Sequence, residues 1–256
     1  MRAIYEPKGA AREYAPLACN LYDGCLHGCT YCYAPGCRRM TREAFATDIK
    51  PYPNILQRLE KDADEMAAAG DTRRVLFSFT SDPYQEYAAG CDVTREALQI
   101  MVDRGLQFSV CTKGGMRAAR DFDLLKRGGQ LGVSLVWGMG DDIWPQEKWE
   151  PNAASCYDRL ASVFHATRHG IYTWASIEPV IEPTSALKAI KSLAYNGCDE
   201  FRVGKINHDA ALAAGVDWQA FTDECYALLL YLKRPFLFKE SLHPYLQGRP
   251  VTGGPQ

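Results

Sequence analysis

The chain has 256 residues, with 29 lysines and arginines against 31 aspartates and glutamates, and 47% of it is hydrophobic. That apolar content and a formal net charge of −2 exclude a disordered or collagen-like chain, and the overall basic charge of a general nucleic-acid binder is missing. The unusual figure is 10 cysteines, of which Cys19, Cys25, Cys29, Cys32 and Cys37 crowd together; disulfide scaffolds spread theirs over a small secreted chain, so the crowding points to a metal in a reducing compartment.

In chain order, residues 1–17 are charged from Arg2 onward and lack the apolar run of a secretory signal. A first strand is expected within residues 13–22, just ahead of the cysteines. After residue 50, short apolar or β-branched runs alternate with amphipathic helices. Strands are expected at Val75–Phe79, Phe108–Thr112, Leu131–Val136, Tyr172–Ile177, Glu200–Val203 and Phe236–Phe238, each bounded by Gly, Pro or polar turn residues. Thr94 is the expected cap of a helix carrying Ala97, Leu98, Met101 and Val102 on one face, with Gly105 beyond its end. Ser155 with Asp158 forms a capping pair ahead of Leu160, Val163 and Phe164, and Thr184 or Ser185 opens a helix with Leu187, Ile190 and Leu193 at helical spacing.

Strands separated by helices are βα units, and right-handed crossovers make their sheet parallel. The expected fold is therefore α/β, an incomplete (β/α)6–7 barrel, since a closed eight-stranded barrel takes about 250 residues with little to spare. Residues 1–247 form one expected domain and residues 248–256, rich in Gly and Pro, a loose tail. The apolar run at residues 227–232 is too short to cross a bilayer.

The cysteine loop reads Cys25-Leu26-His27-Gly28-Cys29-Thr30-Tyr31-Cys32, a C-x3-C-x2-C pattern. Three thiolates this close can hold three irons of a [4Fe–4S] cube and leave the fourth open to a small chelating molecule. Gly24 and Gly28 let the backbone fold tightly there, and Tyr31 is placed to cover the cluster or a bound base. The competing reading is zinc, with His27 or Cys37 as fourth ligand; the absence of a second C-x2-C pair speaks against it.

With those residues in place, the chain resembles the radical S-adenosylmethionine (SAM) superfamily, and within it the spore photoproduct lyase-like family. The family's aromatic-x-Gly-Cys-x-His-x-Cys-x-Tyr-Cys-Tyr-Ala loop is matched from Tyr22 through Gly24, Cys25, His27, Cys29, Tyr31, Cys32 and Tyr33 to Ala34. Thr80-Ser81-Asp82-Pro83-Tyr84-Gln85, Thr112-Lys113-Gly114, Arg120-Asp121, Trp149-Glu150-Pro151-Asn152 and Arg159-Leu160 follow in the family's order. The segment Ser176-Ile177-Glu178-Pro179 is similar to phage-associated radical SAM relatives.

The resemblance implies that Cys25, Cys29 and Cys32 ligate the cluster and that SAM chelates its open iron. Reductive cleavage of SAM then yields a 5′-deoxyadenosyl radical that abstracts a substrate hydrogen, while the protein orients the reactants and excludes water. Barrels of this kind keep their sites at the C-terminal strand ends. There Ser78, Thr80, Ser81 and Asp82 stand where relatives hold the methionine amino group; Asp82 equally suits the cap of the turn before Pro83. Lys113 matches the lysine that pairs with the SAM carboxylate, against the alternative of a solvated loop lysine. Ser134 is a candidate for the SAM ribose or for a backbone partner, and Glu178 for ribose or substrate. Arg202 and Lys205 flank a further strand end. One departure is notable: the hydrogen-donating cysteine of spore photoproduct lyases proper is here Phe79. Cys111 or Cys91 is the candidate replacement, each also suited to a small buried apolar role.

Family analogy points to a nucleic-acid substrate, with a protein, peptide or small molecule as the alternative, and a zinc-stabilised binding module as the reading without turnover. Arg38, Arg39, Arg42, Arg117, Arg120, Lys233 and Arg234 are candidates for a phosphate-contacting rim, or for ordinary solvated helix faces. Trp137, Trp144 and Trp149 are candidates for base stacking or for a lid. The resemblance further implies an electron donor such as flavodoxin or ferredoxin, and the free thiols imply a cytoplasmic location.

Overall fold

Each expected strand forms, and each runs parallel to its neighbour because a helical crossover returns the chain to the same end of the sheet. The computed structural model describes residues 2–77, 79–137, 143–207 and 209–254. Its strands are β1 (Leu17–Cys19), β2 (Tyr22–Asp23), β3 (Lys50–Pro51), β4 (Val75–Phe77), β5 (Phe108–Thr112), β6 (Gln130–Ser134), β7 (Tyr172–Val180), β8 (Glu200–Lys205), β9 (Phe236–Phe238) and β10 (Thr252–Gly253). Its α-helices are α1 (Ala34–Arg38), α2 (Arg42–Thr47), α3 (Ile55–Ala68), α4 (Val93–Asp103), α5 (Phe122–Leu125), α6 (Ile143–Trp149), α7 (Cys156–Arg168), α8 (Pro183–Tyr195), α9 (Ala210–Ala214) and α10 (Trp218–Leu232). The sheet order is β1-β4-β5-β6-β7-β8-β9-β10, parallel throughout except for the antiparallel β10. The strands β2 and β3 form a separate two-stranded ribbon beside the cysteine loop.

Alternation along the strands sorts side chains onto two faces. Val75 and Phe77, Phe108 and Val110, Leu131 and Val133, Ala175 and Ile177, Phe201 and Val203 all enter the main core with the helices. The intervening residues Leu76, Cys111, Gly132, Ser134, Trp174 and Ser176 face inward. Trp174 fills the floor of that interior, fully buried, with the Arg202 guanidinium 4.2 Å above its ring. Gly132, its partner in the ladder, is needed here because a Cβ would run into the Trp174 ring.

Among the described residues no pairing joins β1 to β9 or β10, so the barrel is partial. The N-terminal segment spans the gap. Tyr5 pairs with Ala18 on the outer edge of β1. Farther on, the Tyr14 carbonyl accepts from Arg202 Nη1 at 2.7 Å, and Glu13 Oε1 accepts from the Glu240 backbone at 2.6 Å. Within residues 248–256, the segment expected to be loose is held at two places: Arg249 pairs with Asp223, and β10 pairs with β9, with Phe238 N donating to Val251 O at 2.8 Å. Pro255 and Gln256 lie outside the described residues.

Two helix starts differ from expectation. Thr94 lies inside α4, where its hydroxyl donates to Pro83 O and meets the Tyr22 hydroxyl, tying the helix to the β2 region. The cap of α8 is Glu182, whose carboxylate accepts from Thr184 N and Ser185 N ahead of the helical Pro183. Ser155 caps α7 as expected, accepting from Asp158 N. No helix among the described residues is long and apolar enough to cross a membrane.

Candidate active site

The cysteine loop lies between β2 and α1, at the C-terminal end of the sheet. Gly24 starts it at φ +85°, and a Cβ there would lie 2.8 Å from Asp48 O, so only glycine allows the close approach. Cys25 N donates to Phe45 O, Leu26 N to Gln85 Oε1 and Cys32 N to Cys29 O. From the other side the segment 149–152 clasps the loop: Thr30 N donates to Trp149 O at 3.0 Å and Asn152 Nδ2 to Leu26 O at 2.9 Å.

Burial pushes the Cys29 thiol up to about 12 and moves Cys25 and Cys32 in the same direction. Cys29 and Cys32 form part of the wall of a cavity of about 410 Å³, whose other walls come from the ends of β4 to β9 and from residues 8–14.

Lys113, Ser134, Glu178, Tyr31 and Cys111 all stand on that wall, as does Phe79. Burial opposes the charge of Lys113, but Glu150, 3.9 Å from its Nζ, holds the ammonium above its ordinary value. The Cys111 thiol is pushed up to about 12 by burial. Glu178 accepts from the Tyr14 hydroxyl at 2.6 Å and from Lys239 Nζ at 2.7 Å, both on Oε2. Its Oε1 has Asn207 Nδ2 at 3.4 Å, leaving capacity for a donor in the cavity. Lys205 also reaches the wall, whereas Arg202 turns inward over Trp174.

The Thr-Ser-Asp group behaves otherwise. Asp82 is not on the wall; its carboxylate lies beneath the loop, where it accepts from Tyr84 N (2.8 Å), Thr112 Oγ1 (2.6 Å) and Lys113 N (2.6 Å) and meets His27 Nε2 at 3.0 Å. Burial opposes its charge, but His27 and these donors hold the carboxyl well below the usual carboxylate range. Asp82 thus caps its own turn, with Tyr84 N donating to its Oδ1. Thr80 is tied back through its N–H to Asn20 Oδ1, Ser81 is buried away from the wall, and Ser78 lies outside the described residues.

The candidate rim residues divide between local partners and the sheet ends. Arg38 pairs with Asp23, Arg117 donates to Tyr84 O and Arg120 to Cys91 O, while exposed Arg39 ends α1 in a left-handed conformation. Arg42 reaches Cys29 O at 3.5 Å. Lys233 and Arg234 precede β9 and so sit at the opposite end of the sheet from the cavity. Cys91 packs against the main core. Trp137 is buried off the wall and the Trp149 ring carries Lys148 at 4.8 Å; the Trp144 side chain lies outside the described residues.

Sequence reasoning gave no role to four residues that complete the site: Tyr14, Lys239, Glu150 and Arg159. Glu150 and Arg159 are both fully buried and meet at 2.5 Å. They stand in motifs that carried the family resemblance, which was the available signal; Tyr14 and Lys239 lie near opposite chain ends and had none.

The donor set fits a [4Fe–4S] cluster. Three thiols come from one loop beside a cavity, and a nearby ammonium is available to balance the anionic thiolates. Among the described residues no three His, Cys, Asp or Glu side chains converge on a single metal ion; a cube spaces its ligands at separate corners.

No protein-family model matches the chain. An uncharacterized protein of Methanocaldococcus jannaschii is 25% identical over 168 residues, 63% of this chain and 59% of that protein. Spore photoproduct lyase complexed with dinucleoside spore photoproduct has a TM-score of 0.60 at 18% identity, over 82% of this chain and 62% of the lyase chain. SuiB of Streptococcus suis bound to S-adenosylmethionine has a TM-score of 0.56 at 9% identity, over 86% of this chain and 45% of SuiB. The fold is that of spore photoproduct lyase and SuiB. The chain spans less than two thirds of each of these three proteins.

Proposed function

We propose that the chain is a radical SAM enzyme that modifies nucleic acid, with Cys25, Cys29 and Cys32 holding a [4Fe–4S] cluster. The observation that carries it is the single cavity wall shared by Cys29, Cys32 and Lys113. When bound, the cluster supplies the electron that cleaves SAM and so generates the hydrogen-abstracting radical. The chain's own residues bind and shield. Lys113 pairs with the SAM carboxylate, Ser134 and the open Oε1 of Glu178 serve ribose or substrate hydroxyls, and Tyr31, Leu76 and Phe79 exclude water. Cys111, a neutral thiol on the wall, is the group placed to give a hydrogen atom back. An electron from a flavodoxin- or ferredoxin-type donor and a proton from solvent restore it.

Nucleic acid as the substrate is supported by Lys8 and Lys205 at the cavity and by the Tyr33 ring, exposed at 40%, which can stack a base. The similarity to a lyase structure containing a dinucleoside points the same way. Phe79 in place of the usual donor cysteine separates the outcome from standard thymine-dimer repair. A reducing cytoplasm suits the free thiols that this reading needs.

Anaerobic reconstitution is the test. About four irons and four sulfides per chain, with release of 5′-deoxyadenosine from SAM, are expected, and Cys29→Ala abolishes both. One bound zinc and no 5′-deoxyadenosine overturns the reading. Deuterated oligonucleotides decide the substrate: label must appear in 5′-deoxyadenosine, and transfer only from peptides or small molecules refutes nucleic acid.

A further inference from the structure

The end of α6 and the turn after it, residues 149–152, make hydrogen bonds to the cysteine loop. Thr30 N donates to Trp149 O, Asn152 N to His27 O, and Asn152 Nδ2 to Leu26 O. In the middle of that clasp the Tyr31 hydroxyl donates to Glu150 Oε1 in a short hydrogen bond. The same carboxylate is 3.9 Å from Lys113 Nζ, across the wall of the cavity.

A carboxylate with no solvent exposure is costly unless it is paired. Arg159 supplies the pair through Nη2 at 2.5 Å, and it is itself locked, Nε donating to Ala154 O and Nη1 to Ser134 O. Glu150 is therefore fixed from behind. Its free side faces two groups of the site, the hydroxyl of the loop tyrosine and the lysine at the end of β5. Lysine is a flexible point charge and needs such a counter-ion to be held at one place.

We infer that Glu150 is a positioning residue: it clamps the cysteine loop through Tyr31 and holds the Lys113 ammonium at the cavity wall, ready for an anionic group of the bound cofactor. The clamp on the loop is independent of the proposed activity, whereas the action on SAM through Lys113 rests on the radical SAM reading.

Two measurements test it. In the cluster-free chain, alkylation of Cys29 and Cys32 is followed by mass spectrometry, with Cys111 as internal standard. Tyr31→Phe and Glu150→Ala are expected to speed labelling of the loop thiols about tenfold, the size of one lost hydrogen bond to a charged group, with Cys111 within about twofold. In the reconstituted protein, Glu150→Gln is expected to raise the KM for SAM about tenfold with kcat for SAM cleavage within about threefold, and to add nothing in a Lys113→Met background. Glu150→Asp, which keeps the charge that Arg159 needs, serves where a neutral variant fails to fold, and is expected to show the same KM increase in smaller measure. Unchanged loop labelling, or additivity of Glu150→Gln with Lys113→Met, overturns the inference. A parent protein without SAM cleavage refutes the radical SAM reading and the Lys113 arm with it, while the labelling result still decides the clamp.

Discussion

His27 Nε2 and Asp82 Oδ2 meet at 3.0 Å beneath the cysteine loop, with side-chain exposures of 3% and 8%. The loop is thereby pinned to the ends of β4 and β5, since the same carboxylate also accepts from Thr112 Oγ1 and Lys113 N. Asp82→Ala leaves several buried donors unpaired and should destabilise the fold by about 3 kcal/mol, read from urea unfolding, together with a loss of iron on reconstitution. If Asp82 instead held the SAM amino group, the variant would keep parental stability and lose only SAM affinity.

The floor of the barrel depends on a glycine. Gly132→Ala pushes a methyl into the Trp174 ring and is expected to cost about 1–3 kcal/mol, the range for an overpacked core. Adding Trp174→Phe should recover part of that loss in thermal unfolding. A Gly132→Ala protein as stable as its parent would show that Trp174 is not held in this position.

Lys239 neutralises two carboxylates that the open seam brings together, Glu178 at 2.7 Å and Glu13 at 3.3 Å, and is itself 3% exposed. Lys239→Met should therefore cost about 3 kcal/mol, the size seen when one partner of a buried pair is removed. Glu178→Gln in the same chain is expected to restore part of it by removing one of the opposed charges. Unfolding curves of the three proteins provide the check, and equal losses in single and double variants would contradict it.

A pH effect follows from the cap of α8. Slight burial opposes the charge of Glu182, but the N–H groups of Ser185 and Thr184 outweigh it and hold the carboxyl below its ordinary value. A carboxyl lowered on folding contributes stability above its unfolded pKa of about 4.3 and loses it as pH falls through the folded value. Glu182→Ala should thus cost about 1 kcal/mol at pH 7, and the difference from the parent should shrink as the pH is taken from about 4 toward 3. A difference that stays constant over that range would assign the loss to something other than the ionised cap.

The sequence by itself determined the main strands of the sheet, their parallel sense and the three-thiol loop. Local pattern suffices there: β-branched runs, helix punctuation and C-x3-C-x2-C spacing act over a few residues. It also named Lys113, Ser134, Glu178 and Cys111, because the end of a parallel strand is where polar residues meet a site. Only the tertiary structure decided which strand-end residues face the cavity. A polar side chain there can turn to the site or to a neighbouring strand, and Asp82 turned to Thr112 and Lys113 since their donors lay within reach. The rest came from distance along the chain. Tyr14 meets Glu178 across the open seam, and Glu150 meets Tyr31 across the clasp. Such contacts are made by folding, so no window of sequence contains both partners.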